Sequence, residues 1–241
     1  MPVYSKLAKI YDALYGFKNY EAEVARLHQI ISDKKTSPGN ALLDVACGTG
    51  SHLTFLRKHY AVEGVDYTPE MLEVARSRMP EVTFHQGDMR TFDLGRRFDV
   101  VTCLFSSIGY LKTVRDLRAA VINMARHLKP GGVLIVEPWL SEETWNARGI
   151  HTWNIDGKDT KIARMDVPSK KGRKSIIRQH IMLGTADGVQ YLRQTHELFM
   201  FTNAEYIEAF DAAGLDIIYD EKGLMNRGLF IGTSITLTKN R

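Results

Sequence analysis

The chain alternates short apolar runs with amphipathic stretches, and that alternation restricts its fold more than any other feature. Apolar runs at 41–46, 61–66, 82–85, 98–104 and 133–136 are interleaved with helix-forming segments at 51–59, from Thr68-Pro69-Glu70 onward, and from Thr113 to about His127. Parallel neighbours need crossover connections, so this order predicts a parallel sheet flanked by helices. Local chemistry marks the joints. Thr68-Pro69-Glu70 reads as an N-cap, a proline at the first helical position and an acidic first turn. Lys129-Pro130-Gly131-Gly132 reads as the turn before the 133–136 strand. Two amphipathic helices come before the first strand, carried by Val3, Leu7, Ile10, Tyr11 and Leu14 and by Val24, Leu27, Ile30 and Ile31.

The regularity breaks between about 150 and 200. Segments 152–155, 161–167, 175–183 and 190–201 are rich in β-branched and aromatic residues and are separated by Asp156-Gly157, Lys171-Gly172 and Asp187-Gly188, which predicts an antiparallel insertion of four strands. The chain then closes with a helix opened by the capping box Thr202-Asn203-Ala204-Glu205 and stopped by Gly214, and with strands at 215–220 and 228–237 that pair antiparallel. Nothing recurs at a fixed period, which excludes repeat architectures.

Charge is informative mainly by its location. Lys and Arg number 32 against 28 Asp and Glu, for a net charge of +4 and a pI near 9.0. Residues 150–200 hold nine basic residues against five acidic ones, leaving 23 of each sign elsewhere. A basic run, Lys170-Lys171-Gly172-Arg173-Lys174, lies in this stretch and reads as a solvated hairpin, a contact for a diphosphate, or a contact for RNA. No nucleic-acid module accompanies it, which argues against nucleic acid. Cys47 and Cys103 are the only cysteines and lack metal-ligand spacing, so no metal site is expected and a reducing cytoplasm is the expected setting. No apolar stretch approaches the roughly 20 residues of a membrane span, and no signal core is seen at the amino terminus.

Leu42-Leu43-Asp44-Val45-Ala46-Cys47-Gly48-Thr49-Gly50 stands where a strand gives way to a helix, and its small residues let a ligand approach the backbone. Asp66 ends the next strand, placed to accept both hydroxyls of a ribose, and Gly87-Asp88-Met89 follows the third, where a carboxylate can accept from an exocyclic amine. Asp44, Asp66 and Asp88 therefore converge on one crevice. The third glycine of a dinucleotide fingerprint would fall at Leu53, which weakens an oxidoreductase reading.

This set resembles the class I S-adenosylmethionine-dependent methyltransferases, with Ala46 at the first glycine of their Gly-x-Gly-x-Gly. Further runs, at 85–90, 94–98, 104–111, 136–139 and 227–230, resemble the N,N-dimethyltransferases of nucleotide-linked 3-amino deoxysugars. The resemblance implies a Rossmann-like α/β fold: a seven-stranded sheet with its last strand antiparallel, helices on both faces, and the β insertion after the fifth strand. Residues 1–149 and 202–241 would form the cofactor-binding domain, and 150–201 a substrate cover and a possible homodimer contact. It implies S-adenosylmethionine as cofactor, held by Tyr11, Tyr20, Asp44, Ala46, Cys47, Gly48, Gly50, Asp66, Asp88, Met89 and Leu104. Tyr110 and Tyr4 would face the amino sugar as the catalytic pair, with Glu137, Trp139 and Arg227 on the substrate side. The sequence departs from those sugar enzymes in the substrate half, with Leu140 after Pro138-Trp139 and with Lys222-Gly223-Leu224-Met225-Asn226 before Arg227.

Methyl transfer from a sulfonium is an in-line displacement that needs alignment and a neutral amine, and no nucleophilic side chain. The expected activity is N-methylation of a small-molecule amine. O-methylation or another amine substrate is the alternative within the class, and an RNA-directed or non-catalytic binder of the same cofactor is the alternative outside it. His85 reads as an interior histidine with a partner, and His180 and His196 lie on insertion strands with their faces unassigned.

Overall fold

A computed structural model describes residues 3–234, with side chains from Leu7 onward. The side chain of Tyr4 and residues 235–237 of the 228–237 strand lie outside what is described. Helices α1 (Val3–Leu14) and α2 (Tyr20–Lys34) are followed by β1 (Ala41–Val45), α3 (Ser51–Leu56), β2 (Ala61–Asp66), α4 (Pro69–Arg78), β3 (Thr83–Gln86), β4 (Phe98–Cys103), α5 (Val114–Arg126) and β5 (Leu128–Val136). The insertion supplies β6 (His151–Asp156), β7 (Lys161–Lys171), β8 (Lys174–Thr185) and β9 (Gly188–Phe199). Helix α6 (Asn203–Ala212), β10 (Leu215–Asp220) and β11 (Leu229–Ser234) complete the order.

The main sheet runs β10-β11-β5-β4-β1-β2-β3, with β11 antiparallel to both its neighbours and β1 to β5 mutually parallel. Side chains alternate across it. Leu43, Val45, Val101, Cys103, Leu134 and Val136 pack against α5 and α6 through Leu117, Val121, Met124, Tyr206 and Phe210. Leu42, Val100, Val133, Ile135 and Ile231 pack on the other face against Leu27, Ile31, Leu53, Leu56 and Leu72. The chain reverses its winding between β1 and β4, which opens a crevice at their carboxyl ends.

The insertion forms its own antiparallel sheet, β6-β7-β8-β9, and α1 lies on it: Leu7, Ile10 and Leu14 join Ile162, Ile181, Leu183 and Leu192 in a third apolar cluster. α1 also packs against α4 and is bonded through Asp12 to Thr49 and Ser51, so it joins the insertion sheet to the loop after β1. The Thr202–Glu205 capping box forms as the sequence predicts. Two joints differ. Lys129-Pro130-Gly131-Gly132 continues β5 through a register shift opposite Phe98 and Val100, with Gly131 at φ +75°, because the Gly131 carbonyl accepts from Thr36 and Ser37 N–H groups instead of closing a free turn. The 51–59 segment is helical only to Leu56, where Arg57 caps it. Among the described residues no helix is long and apolar enough to cross a membrane.

Candidate active site

The loop after β1 turns by three residues in the left-handed region, Ala46 at φ +58°, Gly48 at +56° and Gly50 at +77°. At Gly50 the positive φ is what calls for glycine, since the close contact of a Cβ there would be with the flexible end of Met79, Cε, at 2.6 Å. Gly48 is different: no described atom lies within 4 Å of where its Cβ would stand, so the backbone there borders open space. Its N–H donates to Asp66 Oδ2 at 2.8 Å, and the Thr68 N–H donates to Asp66 Oδ1 at 2.8 Å. Asp66 is thus fixed at the end of β2, buried enough that desolvation raises its pKa while those donors oppose the rise. Each oxygen keeps a lone pair for a further donor.

The other predicted residues on this side divide by environment. Asp44 is buried beneath the loop, accepts from Thr102 Oγ1 at 2.7 Å, and is pushed up to about 6 by desolvation. Cys47 donates its N–H to the Val65 carbonyl, and its thiol packs over Gly64, so the thiol is part of the core. Leu104 likewise sits in the core, 3% exposed. Asp88 is clamped by Arg90, whose Nε is 3.0 Å from Oδ1 and whose other end reaches Asp116 at 3.0 Å. That pairing holds the Asp88 carboxyl below its usual range. The Met89 carbonyl accepts from Asn123 Nδ2 at 3.3 Å.

Aromatic side chains from α1 and the loop after it gather above this floor. Tyr11 and Tyr15 have ring centroids 4.7 Å apart, Tyr15 stands edge-on to Phe105 at 5.2 Å, and Tyr20 meets His52 at 4.9 Å. Burial and the neighbouring Tyr15, Tyr110, Tyr20 and Asp66 drive the Tyr11 hydroxyl well above its ordinary pKa. Asp12 latches α1 to the loop, accepting from Thr49 Oγ1 at 2.7 Å and Ser51 Oγ at 2.8 Å and pairing with Arg78. Below, buried Lys18 pairs with Glu23 at 2.7 Å and lies 4.1 Å from the Phe105 ring centre, while His52 Nε2 meets the second Glu23 oxygen at 2.8 Å.

The substrate-side candidates share one wall. After β4, Phe105 and Ser106 both take positive φ, +50° and +59°, and Glu137 Oε2 accepts the Phe105 N–H at 2.6 Å. Glu137 is fully buried, its second oxygen has no hydrogen-bond partner among the described residues, and burial raises its pKa. Arg227 donates to Ser106 Oγ at 3.0 Å and lies 4.9 Å from the Trp139 ring centre. Tyr110, on a 3₁₀ turn (Ser107–Tyr110), places its hydroxyl 2.6 Å from His196 Nδ1.

Residues 42–132 match a family model described as a methyltransferase domain. Over 230 residues the chain is 41% identical to the dTDP-3-amino-3,4,6-trideoxy-alpha-D-glucopyranose N,N-dimethyltransferase of Streptomyces venezuelae, covering 93% of this chain and 96% of that protein. It belongs to the dTDP-amino-sugar N,N-dimethyltransferase family. The crystal structure of Streptomyces venezuelae DesVI superposes with a TM-score of 0.90 at 39% identity, covering 94% of this chain and 98% of that one. CalS10, an amino pentose methyltransferase from Micromonospora echinaspora solved with S-adenosylmethionine bound, gives 0.85 at 40% identity, covering 93% and 96%. This methyltransferase uses S-adenosylmethionine, and the open space at Gly48 beside a fixed Asp66 suits a ribose-bearing ligand.

Several residues of the methyltransferase site escaped sequence reasoning. Tyr15, one residue past the end of α1, is four positions from Tyr11 and its N–H still donates to the Tyr11 carbonyl, so the spacing was a signal the sequence carried. Lys18, Glu23, His52 and Phe105 carried none, since their partners are set by tertiary contact. The basic hairpin is also not the free patch its composition suggested: Lys170 pairs with Glu142 at 2.8 Å, Lys174 with Glu197 at 3.5 Å, and Arg173 with Glu205, which ties the hairpin to α6. His85 is half-buried and paired with Glu63 at 2.8 Å, and His180 is bonded to Tyr191 at 2.5 Å on the exposed side of the insertion.

Proposed function

We propose that the enzyme methylates the amine of a nucleotide-linked amino deoxysugar, bound against the wall that carries Tyr110 and Arg227. The observation that supports this is the half-buried Arg227, held on Ser106 beside Trp139, a cation suited to an acidic substrate group. The dTDP-amino sugar named for the Streptomyces venezuelae relative points the same way. S-adenosylmethionine supplies an electrophilic methyl on sulfur. Asp66 takes the ribose hydroxyls, Asp88 and the Met89 backbone the adenine, Tyr11 and Tyr20 close over the ligand, and Ala46, Gly48 and Gly50 let the backbone approach it. Asp44, Cys47 and Leu104 support that floor from beneath.

Tyr110 orients the neutral amine, whose lone pair must face the methyl group; once nitrogen has gained the methyl, its extra proton passes to water. Tyr4 is proposed as its companion. We read 150–201 as the substrate cover, since α1 is packed on that sheet, with its outer face open to a second subunit. Two free, buried cysteines suit the cytoplasm. The test is calorimetry in the presence of S-adenosylhomocysteine, titrating a dTDP-3-amino deoxysugar against its 3-hydroxy counterpart. Tighter binding of the amine supports the reading; no heat from either sinks it.

A further inference from the structure

Tyr110 is held by a chain of side chains that crosses the insertion sheet. Arg164 on β7 is fixed by both oxygens of Asp166, 2.8 Å from Nε to Oδ1, by the Leu14 carbonyl at 3.2 Å, and by the Trp153 ring at 4.6 Å. Gln179 on β8 lies between this guanidinium and His196 on β9. Its amide can face two ways. With nitrogen toward Arg164 it keeps Asp166 Oδ2 at 3.3 Å and can accept from His196 Nε2 at 3.1 Å, but sets donor against donor at 3.2 and 2.5 Å; with oxygen toward Arg164 it accepts from both guanidinium nitrogens, and Nε2 donates to His196 Nε2 at 3.1 Å. Only the second orientation removes the clash of donors against Arg164.

That choice settles the histidine. A neutral imidazole has one N–H and one lone pair; Nε2 receives the Gln179 donor, so Nδ1 carries the hydrogen and donates to Tyr110 Oη at 2.6 Å. We propose that Arg164, Gln179 and His196 act as a one-way donor chain that fixes the direction of the Tyr110 hydroxyl, making Gln179 and His196 positioning residues for methyl transfer. His196, Gln179, Arg164 and Asp166 are all at most 7% exposed, so water does not compete for these groups.

The polarity has a chemical consequence. His196 already bears hydrogen on the nitrogen facing Tyr110, so it takes no proton from the tyrosine, and the pair is not a base. With one lone pair occupied by His196, Tyr110 presents one O–H and one lone pair to the crevice. On the substrate reading above, the lone pair accepts an amine N–H and leaves the nitrogen's own pair for the methyl group, while the O–H takes a sugar oxygen.

The test has two arms. Long-range proton–nitrogen spectra of the ligand-free enzyme report the tautomer without any substrate: the hydrogen on His196 Nδ1 is expected in the parent protein, moving to Nε2, or to both nitrogens, in Gln179→Glu, whose carboxylate must accept. Hydrogen on Nε2 in the parent overturns the proposal even if the substrate reading stands. In the second arm, His196→Asn, which keeps an N–H near the Nδ1 position, is expected to hold kcat within about threefold, whereas His196→Leu loses about tenfold or more in kcat with an unchanged cofactor affinity. Equal kcat for folded His196→Leu and the parent, or equal losses in Asn and Leu variants, would overturn it.

Discussion

Replacing Asp66 by alanine isolates the cofactor site better than any other single change. In the folded protein its two oxygens already accept from the Gly48 and Thr68 N–H groups at 2.8 Å each, so the carboxylate is aimed before the ligand arrives. Two ribose hydroxyls donating to that charge contribute about 1.5–3 kcal/mol each, together roughly 3–6 kcal/mol. Losing them weakens binding by about 10²–10⁴-fold. Two backbone donors are also orphaned, costing stability on the order of 1–3 kcal/mol, although water entering the cleft reduces that. The assay is calorimetric titration with S-adenosylhomocysteine, paired with thermal unfolding to show that the variant is folded. A folded Asp66→Ala that binds with unchanged affinity would refute the ribose assignment and the pre-aiming argument with it.

Gly48→Ala should separate folding from binding: strain at positive φ costs about 1–2 kcal/mol of stability, while the methyl group enters space that no described side chain occupies, so cofactor affinity falls at least about tenfold. Chemical denaturation and the same titration read the two effects. Neutralising Lys170, Lys171 and Lys174 together should leave the substrate KM unchanged within about twofold, because Lys170 and Lys174 are spent on Glu142 and Glu197, whereas Arg227→Leu should raise KM about tenfold or more. A KM that moves with the lysines would restore the hairpin as a phosphate contact. Burial, then Arg164, pushes His196 down to about 4; between that value and the ordinary 6.5 the unfolded chain takes up a proton that the folded chain refuses. Stability should therefore drop by up to about 3 kcal/mol as the pH is lowered through that window, and His196→Asn should flatten the slope by a comparable amount. An unchanged slope in that variant would place the acid sensitivity elsewhere.

Much of the cofactor half was legible because its determinants are local. The apolar runs, the small residues of 46–50 and the carboxylates at strand ends are each set by a few neighbouring positions, and the sheet order places them together. The insertion was legible as four strands for the same reason, from β-branched runs and Asp-Gly turns. What remained hidden is set by distant partners. His196 meets Tyr110 across 86 positions, and which face of β9 it takes depends on a register that period-two alternation alone leaves open. The basic hairpin looked available because Glu142 and Glu205, which neutralise it, lie far from it in sequence. Lys129-Pro130-Gly131-Gly132 carried every local mark of a turn, yet the Thr36 and Ser37 donors keep it in the sheet.

The central claim concerns which atom receives the methyl group. Mass spectrometry of a reaction containing the enzyme, S-adenosylmethionine and either a dTDP-3-amino deoxysugar or its 3-hydroxy counterpart tests it most directly. The amino compound should gain the mass of one or two methyl groups, located on nitrogen by fragmentation, while the hydroxy compound stays unmodified. Methylation of the hydroxy compound, or of neither, would contradict the account.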